Sequence, residues 1–365
     1  MKFEQRSETS PMLRSGPGVQ VNYAAIRVLV IGSHAYPDSF EWHLVESLRH
    51  LGCGGVELFH NRRSVDGVLG TAEKAYLKAA EILVREPERR VEEPLLRKIA
   101  EFDPVVILVV LGNQLSPKTM ALIRKRSKAR IVCWCQDQMT TLGRQFLLAS
   151  GYDAVFVKDR YMHELFSAMI RSTRFYYLPE ACNPRMHRPM AISETDRETF
   201  GCDLMIAGTL YYYRQEILLQ VAKEIEGIHL RIWGSKPQWL LDRLPGRYMG
   251  RQVHGDDKVR AALSAKICLN TLHYGEVNGL NCRAFELAGC GGFQLLTRVP
   301  VLSEHFVPEV EVATFGSVDE LIEKCTHYLR YPAEAAKIAE RGRQRAHRDH
   351  TYEHRLAELM QIALQ

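Results

Sequence analysis

Short, nearly unbroken apolar runs, each followed by a stretch with helical spacing, recur along this chain and dictate its architecture. IRVLVIG (26–32), VVILVVL (105–111), ARIVCWC (129–135) and DAVFV (153–157) are such runs. A run that is apolar at every position, and not at every second one, marks a strand buried on both faces. That is the situation of a parallel sheet covered by helices on each side. Between the runs the period changes: Leu44, Leu48 and Leu51 share a face after Pro37, and 73–84 and 94–102 also space their apolar residues helically.

The alternation stops at LPEACNPRMHRPM (178–190), which holds three prolines and little periodicity and reads as an interdomain linker. It then restarts with CDLMIAG (202–208), a helix from Tyr212, HLRIWG (229–234) and KICLN (266–270). A helix from about Asn281, GFQLLT (292–297), EVATF (311–315) and three terminal helical segments complete the pattern. The reading is α/β: two Rossmann-like domains with parallel sheets, facing each other across a cleft. The expected division is a disordered leader at 1–24, a first domain at 25–180, a second at 181–347 and a last helix within 348–365. Ligands bind at the carboxyl edges of such sheets, where loop amides and helix N-termini converge.

The 365 residues suffice for two cores, and 46% hydrophobic with 25% charged residues is ordinary for a globular protein. A net charge of +5 is too mild for a nucleic-acid-binding chain, so no nucleic acid is expected as partner. No run of 18 apolar residues would span a membrane, and the first twenty residues lack the apolar region of a signal peptide. Nine cysteines without a spacing framework point to reduced thiols and a cytoplasmic location. The basic run Arg124-Lys125-Arg126, with Lys128 and Arg130, reads as a solvated helix end, with peripheral contact to anionic lipid as the alternative.

The richest segment for chemistry is NGLNCRAFELAGCGGFQLLT (278–297). Asn278, Gly279, Leu280 and Asn281 stand directly before a helix, so their amides and the helix dipole would receive a diphosphate. Arg283 opens that helix. Glu286, flanked by apolar residues, is an enclosed carboxylate able to accept hydrogen bonds from ribose hydroxyls. Gly208 and Thr209 form a second anion-receiving turn, with Arg214 placed to reach a diphosphate and Lys266 as a further positive charge. Trp233, Gly234 and His254 lie in turns that would bracket a flat base. Asp256 and Asp257 read as first-turn helix acids, not as metal ligands. In the first domain His34, after the first strand, or Asp137, after WCQ, would take the proton from an acceptor hydroxyl. Walker-type, zincin and nucleophile-elbow motifs are absent from the sequence.

FVKDRYMHELF, YYLPEACNP, DLMIAGTLYYYR, NCRAFELAGCGGFQLLT and the tail FGSVDELIEKCTHYLRYPAEAAKIAERGR resemble the CgeB-like (spore-maturation type) glycosyltransferases of the GT-B fold. The resemblance covers roughly 150–360. It implies metal-independent transfer of a sugar, with a nucleoside diphosphate sugar as co-substrate and a UDP-sugar favoured, and a last helix that crosses back to the first domain. In related retaining enzymes two glutamates stand with seven residues between them. Glu286 matches the second, whereas Asn278 occupies the first position, which leaves the sugar-hydroxyl contact and the stereochemistry open. The expected activity is a hexosyltransferase acting on an unidentified acceptor. The alternatives are a sugar-nucleotide epimerase on the same fold and a non-catalytic subunit that binds nucleotide or glycan.

Overall fold

The computed structural model describes residues 21–33, 36–60, 89–110, 115–137, 151–234, 244 and 247–365. The first sheet contains β1 (Arg27–Gly32), β2 (Gly55–His60), β3 (Val106–Val110), β4 (Arg130–Cys135), β5 (Ala154–Val157) and β6 (Phe175–Tyr177), in the order β2-β1-β3-β4-β5-β6. The second contains β7 (Cys202–Ala207), β8 (Leu230–Trp233), β9 (Arg247–Tyr248), β10 (Ala265–Asn270), β11 (Gln294–Thr297) and β12 (Ala313–Phe315), in the order β12-β11-β10-β7-β8-β9. Every pairing is parallel, with Val28 opposite Val56 and Val106, and Ile206 opposite Leu269 and Ile232.

The unbroken apolar runs follow from this layering. In β1, Val28 and Val30 pack with Leu44, Leu356 and Met360 on one face, while Leu29 and Ile31 pack with Ile99 and Ile123 on the other. Both faces are dry from Val28 to Ile31, so that stretch is apolar at every position. The strands that the sequence reading did not single out are β2, β6 and β9. All three lie at sheet edges and none is buried at every position, so they lack a continuous apolar signature.

Helices begin where a short polar side chain caps them. Ser39, Ser116, Asp159, Asn281, Ser317 and Thr351 each accept a hydrogen bond from a first-turn amide. The basic run closes the helix Pro117–Arg126, where Arg124 pairs with Asp153 at 2.8 Å and the positive charge complements the helix dipole. The last helix, Tyr352–Ala363, packs on the first domain, with Tyr352, Leu356, Leu359 and Met360 in its core.

The chain therefore passes between the domains twice, and the two passages lie side by side. Cys182 N donates to His350 O at 2.9 Å, and Tyr352 N donates to Cys182 O at 3.0 Å. The segment expected as a linker is thus an ordered strut, folded on itself by His187 N donating to Asn183 O. At the other end, part of the expected leader is structured. Val21 and Tyr23 pack against the first core, and Gly54 N donates to Tyr23 O. All nine cysteines are free thiols. Among the described residues no helix is long and apolar enough to cross a membrane.

In each sheet the strand order reverses once, between β1 and β3 and between β7 and β10. These switch points open a crevice at the carboxyl ends of the strands, and the two crevices face one another.

Candidate functional site

A cavity of about 290 Å³ lies where the crevices meet. Its second-domain wall starts at the end of β7 with Ala207, Gly208 and Thr209. Gly208 has φ +112°, a conformation that excludes ordinary side chains, and Gly234 stands behind it so closely that a Cβ there would lie 2.3 Å from Gly208 O. The pair of glycines brings two strand ends together and bares the 208 backbone to the cavity. Arg283, from the first turn of the helix Cys282–Cys290, enters beside it, and its Nη1 would sit 2.5 Å from a Cβ at 208. Arg283 has no ion pair among the described residues. Trp233, His254 and Glu286 also line the cavity. The Trp233 indole is buried with Nε1 unpartnered, and Arg251 stacks on its ring at 5.1 Å. His254 is exposed and meets Gln252 at 2.9 Å.

Glu286 belongs to a buried charge cluster drawn from both domains and the strut. Lys258 Nζ lies 2.9 Å from Asp38 Oδ2 and 3.0 Å from Glu286 Oε2. Asp38 Oδ1 accepts from His43 Nε2 at 3.1 Å and His187 Nε2 at 3.0 Å, while Oδ2 also accepts from Gly255 N at 2.7 Å. Burial opposes ionisation of both acids. The two histidine hydrogen bonds and Lys258 overcome it and hold Asp38 far below the ordinary carboxylate range, and Lys258 and His187 likewise keep Glu286 low. Burial would lower the Lys258 ammonium, but Glu286 and Asp38 outweigh it and raise its pKa. His43 is pushed down to about 4, chiefly by burial, and is therefore neutral.

Asp38, His43, His187 and Glu286 place ligand atoms within 4.8 Å of one another, a spacing that would suit a metal. Two observations argue against that use. His187 Nδ1 accepts the Asn183 amide at 3.0 Å, so Nε2 carries the proton and has no lone pair to offer. Lys258 already supplies the cation between the two carboxylates.

A second cluster lies nearby. Lys158, just past β5, pairs with Glu276 of the second domain and lies 3.9 Å from Glu180. Burial would lower the Lys158 ammonium; Glu180 and Glu276 more than compensate and raise it. Glu180 lines the cavity, is 5% exposed, and is pushed up to about 8 by burial, with Lys158 only partly offsetting this. Asp137 is exposed past the end of β4 and within electrostatic reach of both Lys158 and Glu180, but it does not line the cavity. His34 lies outside the described residues.

Several expected contacts are redirected. In the turn before the helix Asp159 of the first domain takes two amides: Val277 N and Asn278 N donate to its Oδ2 at 3.0 and 3.1 Å. Asn278 Oδ1 accepts from Val301 N, Gly279 pairs with Asp159 across a bridge, and Leu280 is core. Asn281 caps the helix and exchanges side-chain hydrogen bonds with Asn270. Arg214, 3% exposed, donates Nη1 to Thr209 O and Nη2 to Thr271 O at 2.6 and 2.7 Å, so it braces the 209 loop from behind. Lys266 sits at the opposite end of β10 from the cleft, its side chain 60% exposed and paired with Asp203. These polar groups are consumed by the fold because a loop facing a second domain needs local partners for its backbone.

Comparison with known proteins agrees with this architecture. Residues 214–361 match the model of the glycosyl transferase-like family. Sucrose-phosphate synthase from Thermosynechococcus elongatus superposes with a TM-score of 0.65 at 14% identity, over 93% of this chain and 98% of that one. Anabaena HepE, solved in complex with UDP-glucose, gives 0.64 at 14% identity over the same shares. A glycosyltransferase from Rickettsia africae gives 0.63 at 11%, again over 93% and 98%. The fold is GT-B. No curated protein matches the chain by sequence.

The GT-B cleft thus gathers Gly208, Thr209, Trp233, His254, Arg283 and Glu286 of the expected residues. Sequence reasoning missed Asp38, His43, Glu180 and Lys258. Lys258 follows the Gly255-Asp-Asp turn at the start of a helix, where acids draw the eye first. Glu180 and His187 lie in the segment that reads as a linker. The available signal was a charged residue set among Leu178, Ala181 and Cys182, all of which are buried.

Proposed function

We propose that this chain is a glycosyltransferase that moves a hexosyl group from a nucleoside diphosphate sugar to an acceptor hydroxyl, with a UDP-sugar favoured. The reading carries with it a CgeB-like, metal-independent mechanism and a cytoplasmic location. The observation that carries it is the cavity wall built by Gly208, Arg283 and Glu286 at the switch point of a GT-B second domain. The family match over 214–361, which contains Arg283 and Glu286, and the UDP-glucose held by Anabaena HepE support it.

Arg283, which has no ion pair among the described residues, faces the donor diphosphate and takes up charge as the nucleotide leaves. Glu286 commits Oε2 to Lys258, while among the described residues Oε1 has only His187 at 3.9 Å, which leaves it to ribose hydroxyls. The base is read between Trp233 and the 252–254 segment. The acceptor approaches from the first domain, where Asp137 or His34 would take its proton.

A thermal-shift and calorimetry panel of UDP-, GDP-, dTDP-, ADP- and CDP-sugars, followed by nucleotide-release assays with candidate acceptors, tests this. Stabilisation by one nucleotide class and acceptor-dependent release are expected. No response to any donor would sink the reading.

A further inference from the structure

The cavity wall contributed by the first domain and the crossover helix includes Asp38, Phe40, His43, Glu180 and Tyr352. Of its charged groups, Asp38 is saturated, since both carboxylate oxygens accept two contacts each. Glu180 is different. It accepts no hydrogen bond from a described residue, and its one ion-pair contact is Lys158 Nζ at 3.9 Å, an ammonium already engaged more closely by Glu276. A carboxyl this deeply buried and this poorly partnered is completed either by a proton or by a ligand. It faces the same space that Arg283 and Glu286 line from the other side.

We propose that Glu180 is a specificity-determining residue that holds a proton and hydrogen-bonds a hydroxyl of the donor's sugar. The inference rests on the glycosyltransferase reading above. A second ionised carboxylate beside Glu286 would repel a diphosphate, whereas a neutral carboxyl both donates and accepts at short range. Six groups face it: Lys158, Asp137, Glu276, Glu286, Cys282 and Tyr352. Lys158 alone among them favours ionisation, and burial prevails, with its pKa about 8. Donor recognition by this group therefore fails as the pH rises through that value.

The test uses the full chain and calorimetry with UDP-glucose, UDP-galactose, UDP-N-acetylglucosamine and GDP-mannose, each against its free nucleoside diphosphate. The readout is the affinity ratio of nucleotide sugar to nucleotide. Glu180→Ala is expected to lower the best ratio about tenfold at pH 7, while leaving nucleotide affinity unchanged. Glu180→Gln, which mimics the protonated form, is expected to keep the ratio at pH 7 and to hold it at pH 9, where the wild-type ratio falls. A Glu180→Ala ratio equal to wild type, a wild-type ratio flat between pH 7 and 9, or no sugar increment for any probe would overturn the assignment. Failure of wild type to bind any nucleotide would instead overturn the functional reading beneath it.

Discussion

The two buried charge clusters at the domain junction are built from the same kinds of side chain and end in opposite states. Asp38 has both of its own oxygens engaged, Lys258 balances it against Glu286, and both histidines are locked in one tautomer. Around Lys158 one ammonium serves Glu276 at short range and leaves Glu180 at 3.9 Å with no hydrogen bond among the described residues. The first cluster joins the domains; the second leaves one group facing the cavity unfinished. A fold can satisfy a buried charge internally or leave it for a ligand, and hydrogen-bond geometry separates the two cases where residue type does not.

The largest expected effect breaks the first cluster. Lys258→Met leaves Asp38 and Glu286 buried without their cation and should destabilise the chain by about 3–5 kcal/mol in urea unfolding. A loss below 1 kcal/mol would show that the cluster is not the junction's main support. Asp159→Ala should cost about 2–3 kcal/mol, since it removes a helix cap and two hydrogen bonds to the second domain. Arg283→Ala should leave stability within about 0.5 kcal/mol, yet weaken nucleotide binding by about 1.5–3 kcal/mol, read by calorimetry.

The subtlest contrast is in pH. His43 and Asp38 have folded pKa values below their unfolded ones, so their contribution is complete above about 6.5. It is lost as pH falls, first toward about 4 for His43 and then further for Asp38. Glu180 has a raised folded pKa, so its contribution is complete below the unfolded value and is lost as pH rises through about 8. Glu180→Gln should therefore remove a fall in stability that wild type shows between about pH 4.5 and about 8. A profile unaltered across that window would remove Glu180 as its source.

The sheets were legible because burial on both faces writes itself into every residue of a central strand, as in Val28–Ile31. Edge strands such as Gly55–His60 satisfy that condition on one face at most. The glycine turn at 208 and the carboxylate at 286 were legible for a similar reason, since each is an exception to its apolar surroundings. Arg214 and Asn278 had the right residue type near the right turn, but sequence cannot say whether a donor will be spent on a neighbouring carbonyl. For Arg214 it is Thr271 O, and the amides beside Asn278 go to Asp159, more than a hundred residues away along the chain. Asp38, Lys258 and Glu180 acquire meaning only once the domains meet.

The most direct measurement is a crystal structure of the full chain with UDP-glucose or whichever nucleotide sugar binds best. The diphosphate is expected against Arg283 and the Gly208 backbone, ribose hydroxyls on Glu286 Oε1, and the sugar beside Glu180. A nucleotide bound outside this cavity, or inside it with Arg283 turned away from the phosphates, would contradict it.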